Sequence, residues 1–234
     1  MARRVQAELL PRTKPDLETL DYAGLCLQAG AVGGDVYDFL PLGRGQVAFL
    51  LADASGKGVP AALLMANLQA LIRSQATRAV SDIAGFLRDV NAQFFASTAP
   101  EHFATLFFGF YDDAARALRY VNCGHNPPLL LRRDGRPESL APGAPAMGLL
   151  EDWAATPGLV RLEADDWLLL YSDGVTEAGR AGREEFGELR LREALRARRR
   201  LRPSELLPSL VSAVEAFAGC AHEDDLTLVA LRGR

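Results

Sequence analysis

Apolar and polar positions recur along this chain with two periods, and each change of period marks an element. From Ala2 to Leu10 the period is helical, with Val5 and Leu9 four apart, and Pro11 stops it. A helix so short is marginal by itself, so it reads as the last turns of a longer one. Tyr22 to Gln28 alternates as a strand does. Gly33-Gly34-Asp35-Val36-Tyr37-Asp38-Phe39 follows, then a second strand, and the turn Gly43-Arg44-Gly45 leads into the apolar run Val47 to Ala52. These three segments predict an antiparallel meander with short loops.

Two longer helical patterns come next, over about 60–76 and 81–97. Leu64, Leu68, Leu71, Ile72 and Gln75 form the stripe of the first, and Ile83, Leu87, Val90 and Phe94 that of the second. Both stripes predict a core-facing side. Pro60 suits a first helical turn, and Ser81 is the expected N-cap of the second helix. Phe103 to Tyr111 and Leu118 to Cys123 read as strands joined by an Asp112-Asp113 turn, and Leu129 to Arg132 as another. Asp134 to Gly158 is rich in Pro and Gly and mostly connective. Val160 to Glu163 and Trp167 to Tyr171 alternate around a turn at Asp165-Asp166, and Val175-Thr176-Glu177 is irregular or helical. Arg190 to Ala197 and Ser204 to Phe217 predict helices, and Leu226 to Leu231 a closing strand. Blocks of strands with helices between them predict an α+β fold with mostly antiparallel sheets, not a βαβ fold.

Composition narrows the classes. With 234 residues, 49% of them hydrophobic, the chain has material for a substantial core. A net charge of −4 argues against a nucleic-acid surface. The dense basic run, Arg196-Ala197-Arg198-Arg199-Arg200, has no interleaved aromatics and reads as a solvated helix end. Three widely spaced cysteines, Cys26, Cys123 and Cys220, without Cys-x-x-Cys pairing, fit a reducing compartment with neither a disulfide framework nor a zinc site. No signal peptide follows the basic start, and apolar runs such as Phe103 to Phe110 are far short of a membrane span. The expectation is a cytoplasmic protein with no nucleic-acid or membrane partner.

Four acids share a context: each ends an apolar strand beside a glycine or a turn. They are Asp35 in Gly-Gly-Asp, Asp53 in Asp-Ala-Ser-Gly, Asp173 in Ser-Asp-Gly and Asp224 in Asp-Asp-Leu-Thr. Any one of them alone is an ordinary turn residue. Gathered without counter-ions they would repel by about 4 kcal/mol per pair at about 4 Å. All-oxygen ligation of Mg²⁺ or Mn²⁺ is the chemistry that suits such a set.

Taken in order, Gly-Gly-Asp-x-Tyr-Asp, Asp-x-Ser-Gly-Lys-Gly, Gly-His-Asn-Pro-Pro, Ser-Asp-Gly-Val-Thr-Glu and Asp-Asp-x-Thr-Leu resemble one family across about residues 6–232. It is the metal-dependent serine/threonine protein phosphatases (PPM, type 2C), in the bacterial SpoIIE and RsbU branch. The resemblance implies an α-β-β-α sandwich, two antiparallel sheets flanked by helices, as one domain over residues 13–234 behind the end of a linker helix, residues 1–12. It also implies two divalent cations held by Asp35, Asp53, Asp173, Asp224 and the Ala54 carbonyl. By the same resemblance Asp53 would bridge the ions, and Asp53 and Asp173 would serve catalysis. The implied substrate is a phosphoserine or phosphothreonine on an anti-anti-sigma-factor (STAS) protein, attacked by a metal-activated water. An activating partner, an upstream sensor domain and a homodimer through the N-terminal helix are the regulatory partners it suggests.

Neighbouring residues leave alternatives. Asp38 lies three residues from Asp35, so a regular strand turns it to the opposite side. It is either a support for the site or outside it. The motif favours Asp224 over Asp225. His125 reads as structural or as an acid, Cys123 as a buried apolar residue, and His102 and His222 have no assignment. Ser55 stands where eukaryotic-type members carry a His, and the phosphate-binding Arg of that branch has no match. Two other readings compete: a nucleotide cyclase, because of Gly-Gly-Asp-x-Tyr, and a catalytically weak binding module of the same fold. The later motifs have no place in the cyclase.

Overall fold

The computed structural model describes residues 2–43, 45–141, 143–179, 184–219 and 224–234; Cys220 and His222 lie outside them. Along the chain the elements are α1 (Ala2–Ala7), β1 (Leu20–Leu27), β2 (Asp35–Gly43), β3 (Gln46–Ala54), α2 (Val59–Gln75), a 3₁₀ turn (Ala76–Val80), α3 (Ile83–Ser97), β4 (Ala104–Asp112) and β5 (Ala117–Cys123). They continue with β6 (Leu129–Leu131), β7 (Pro137–Ser139), β8 (Gly158–Arg161), β9 (Trp167–Tyr171), α4 (Asp173–Thr176), α5 (Gly187–Arg198), α6 (Pro203–Ala218) and β10 (Leu226–Gly233).

Two five-stranded antiparallel sheets result, ordered β1-β10-β9-β6-β7 and β2-β3-β4-β5-β8. The period of 2 within each strand sorts side chains into layers. On β2 and β3, Val36, Ala48, Leu50 and Ala52 face α2 and α3, where they meet Met65, Leu68, Phe86 and Phe94. The alternate set, Tyr37, Phe39, Phe49 and Leu51, packs between the sheets against Leu168, Leu170, Val229 and Leu231. The outer face of β9 and β10 buries Leu169, Tyr171 and Leu228 against Leu191, Leu207 and Leu210 of α5 and α6. Helix, sheet, sheet, helix is the layering the family resemblance implied.

Two expectations need correction. The predicted meander is really a hairpin: β2 pairs with β3, but β1 pairs with β10 in the other sheet. Residues 28–34 therefore cross between sheets, which local alternation cannot reveal. Ser81 does not cap α3. Asp82 does, accepting from the Gly85 amide at 2.9 Å, while Ser81 folds back onto the Arg78 carbonyl. The connective region also holds the short strand β7, which extends the first sheet beyond β6.

Candidate metal and active site

Asp35 and Asp53 are direct cross-strand partners at the same end of the β2–β3 hairpin. Both share strand parity with the inter-sheet layer, Asp35 with Tyr37 and Phe39 and Asp53 with Phe49 and Leu51. They therefore close one end of the space between the sheets. Asp173 follows β9 and Asp224 precedes β10, so the other sheet delivers its acids to that end as well. Ser172 joins the two: its amide donates to the Thr227 carbonyl at 3.0 Å, its hydroxyl donates to the Asp225 carbonyl at 3.1 Å and accepts from the Thr227 amide at 3.0 Å.

The electrostatics carry the mark of convergence. Burial, then the neighbouring charge of Asp53, pushes Asp35 well above the usual carboxylate range. Burial together with Asp173 and Asp224 pushes Asp53 up to about 7. Asp173 is raised by burial and by Asp224. Glu177 is raised by burial and then by Asp173. The Oδ2 atom of Asp35 is buried without a hydrogen-bond partner. Among the described residues no three acidic, His or Cys side chains yet close on one point tightly enough to hold an ion. One of the acids is answered by a lysine: Lys57 Nζ lies 2.7 Å from Asp224 Oδ2. That bond and the charge of Asp224 raise the Lys57 ammonium. Because the donors are carboxylate oxygens with an unfilled buried atom among them, the set fits a hard divalent cation.

Two glycines of the motifs, Gly33 and Gly174, are explained by Asp225. A Cβ on Gly33 would lie 1.8 Å from Asp225 Oδ2, and one on Gly174 would lie 2.3 Å from the Asp225 carbonyl oxygen. Asp225 is buried, accepting from the Ala29 amide at 2.9 Å and from the Asp35 amide at 3.4 Å. It fastens the 29–35 loop to β10, a role the sequence reading did not find, though the crowded glycines were its trace. Gln6 of α1 grips the same loop, donating to the Gly33 carbonyl at 2.7 Å and accepting from the Gly33 amide at 3.0 Å. The Ala54 amide donates to the Gly34 carbonyl at 3.2 Å, and a Cβ on Gly34 would lie 3.3 Å from the Ala54 carbonyl oxygen and 3.4 Å from Asp53 Oδ1.

Other candidates fall elsewhere. Asp38 faces α2, accepting from Gln69 Nε2 at 2.9 Å and pairing with Arg73 Nε at 2.5 Å. Asp165 and Asp166 form the far turn, bound to Arg232 and Arg132. Ser55 continues the β3–β4 ladder, its amide donating to the Phe103 carbonyl and its hydroxyl accepting from the Phe103 amide. His125 is buried at the site end, its Nδ1 2.8 Å from the Thr105 hydroxyl and its Nε2 without a partner. Burial pushes its imidazole down to about 4, against a weaker pull from the Tyr171 backbone, so it is neutral at physiological pH. Thr105 pairs across from Asp53 in the β3–β4 register. The imidazole thus reaches Asp53 through the cross-strand neighbour Thr105. Cys123 is fully buried and burial raises its thiol, while Cys26 is pushed up to about 12, mainly by burial. Neither is a thiolate nucleophile at neutral pH.

A cleft of about 380 Å³ opens onto this end, lined by Gly33, Gly34, Asp53, Lys57, Asp224 and Asp225 among others. Among the described residues no helix is long and apolar enough to cross a membrane.

Comparison with known proteins agrees with the fold. Residues 43–234 match the model of the Stage II sporulation protein E (SpoIIE) family. Protein IcfG of Synechocystis is 30% identical over 98% of this chain, which spans 40% of that protein. Phosphoserine phosphatase RsbU of Bacillus subtilis is 26% identical over 99% of the chain, which spans 69% of it. The crystal structure of the RsbU and RsbW domains of a Mycobacterium tuberculosis protein superposes with a TM-score of 0.77 at 27% identity, covering 94% of this chain and 61% of that one.

Proposed function

Since the chain belongs to the SpoIIE family of phosphatase domains, we propose that it hydrolyses phosphoserine or phosphothreonine on a protein with the help of two divalent cations. The observation that carries this reading is the cross-strand pair Asp35 and Asp53, both raised, facing Asp173 and Asp224 from the other sheet. Asp35, Asp53, Asp173, Asp224 and the Ala54 carbonyl would hold Mn²⁺ or Mg²⁺, with Asp53 between the ions. Bound there, the cations would supply charge neutralisation for the phosphoryl group and activation of a water for in-line attack.

The remaining work belongs to the chain's own residues. Asp225, Gln6 and Ser172 fasten the segments that carry the ligands, so that both sheets present carboxylates to one cleft. Among the described residues neither thiol competes as a covalent nucleophile, both being held as neutral SH, and the Ser55 hydroxyl is engaged with Phe103. The natural substrate in this reading is a phosphorylated anti-anti-sigma-factor-like (STAS) protein, in line with relatives named as phosphoserine phosphatases. A catalytically weak binding module of the same fold is the rival reading. The test is release of inorganic phosphate from a phosphoserine STAS protein with Mn²⁺ present. Release that Asp173→Asn abolishes supports the enzyme, and no release from the unaltered chain favours the binding module.

A further inference from the structure

Lys57 is the one cationic side chain among the described residues that line the cleft; its charged neighbours there are Asp53, Asp224 and Asp225. It stands between two glycines of positive φ, Gly56 at 95° and Gly58 at 72°. Nothing lies within 4 Å of where a Cβ would stand on either, so the loop's edge is open. Its ammonium rests on Asp224 Oδ2 at 2.7 Å, while Asp224 Oδ1 already accepts from the Asp225 amide at 2.9 Å. Both oxygens of a proposed metal ligand are therefore engaged, and an arriving cation must contest one of them with the lysine.

We infer that Lys57 is a phosphoryl-binding residue which occupies Asp224 until a cation displaces it. This deepens the metal-dependent reading above and rests on it. Two divalent cations do not fully neutralise the five carboxylates Asp35, Asp53, Asp173, Asp224 and Asp225. A phosphoryl dianion entering the cleft thus meets residual negative charge unless a protein cation turns towards it. The Lys57 side chain is 71% exposed at the mouth of the cleft, beside the carboxylate it pairs with. As a plain exposed ion pair it would contribute almost nothing, so the two readings differ in what its removal does.

The inference predicts opposite signs for two ligands. In the full chain, Lys57→Met removes a competitor of the metal and the anchor of the phosphate. Calorimetric titration with Mn²⁺ alone should show affinity raised about fivefold over the unaltered chain, the size of one charge contact at a partly exposed position. Titration with inorganic phosphate at saturating Mn²⁺ should show affinity lowered about tenfold. KM for p-nitrophenyl phosphate should rise in parallel, with kcat moving less than KM, and Lys57→Arg should restore it. If Lys57→Met leaves both titrations unchanged, or weakens both together, the inference is wrong while the metal-dependent reading stands. If the unaltered chain takes up no Mn²⁺, that reading fails and the inference falls with it.

Discussion

Gly33→Ala isolates the packing that assembles the site. Gly33 has no positive φ, so alanine carries no backbone penalty there. Its Cβ, however, would stand 1.8 Å from Asp225 Oδ2, where ordinary contact begins at 3.4 Å, so one group must retreat by about 1.6 Å. Asp225 cannot retreat without stretching its bonds from the Ala29 amide at 2.9 Å and the Asp35 amide at 3.4 Å. Moving Gly33 instead breaks its double hydrogen bond with Gln6. Hydrogen bonds to a buried carboxylate contribute about 1.5–3 kcal/mol, and the longer one less, so a loss of about 2–4 kcal/mol follows. For a chain of this size that lowers the melting temperature by on the order of 10 °C. Gly30→Ala, in the same loop, would meet only the Val32 carbonyl oxygen at 3.4 Å and should stay within about 0.5 kcal/mol of the unaltered chain. Thermal and urea unfolding of the three proteins, each without and with Mn²⁺, measures this. A Gly33→Ala chain that melts with the unaltered one would refute the role given to Asp225.

Other consequences can be measured on the same footing. Mn²⁺ at about a hundred times its dissociation constant should add about 2.7 kcal/mol of stability, an increment that Asp53→Asn or Asp173→Asn removes and Asp165→Asn keeps; equal loss from all three would mean the site is misplaced. Asp38→Ala should cost about 2 kcal/mol or more, because Arg73 and the buried Gln69 each lose one acceptor and keep only the Leu9 carbonyl, yet leave Mn²⁺ affinity unaltered. A calorimetric change in that affinity would place Asp38 in the site after all. Burial works to raise the Asp113 carboxyl, but the Thr19 hydroxyl and the amides of Glu18 and Thr19 win and hold it below its ordinary value. A depressed folded pKa stabilises fully above the unfolded value near 3.9 and loses that stabilisation as pH falls through the folded one. The stability gap between the unaltered chain and Asp113→Asn should therefore close in denaturant titrations taken from about pH 5 to pH 2, and a constant gap would count against it.

Much of the fold was legible because layers follow strand parity. The alternation that puts Val36 towards the helices and Tyr37 between the sheets also separates Asp38 from Asp35. Alternation says nothing about which strand lies beside which, so the pairing of β1 with β10 was not legible from it. The same gap applies to the site. The four acids were recognisable by motif, but no spacing rule brings the ends of β2, β3 and β9 and the start of β10 to one place. Asp225 was passed over because Asp224 fitted the motif and its neighbour's contacts, from Ala29 and Asp35, are almost two hundred residues away in sequence. The capping of α3 failed for a smaller reason: Ser81 and Asp82 are both good caps, and only the path of the 3₁₀ turn decides between them.

The account stands on carboxylates that act through divalent cations, and chelation addresses this most directly. Hydrolysis of p-nitrophenyl phosphate by the full chain would be followed after exhaustive chelation, and again as Mn²⁺ is restored stepwise. The account predicts that turnover falls to the rate of buffer and returns along a saturable Mn²⁺ curve, and that Asp53→Asn shows no such return. Turnover that persists in the chelated protein would contradict it.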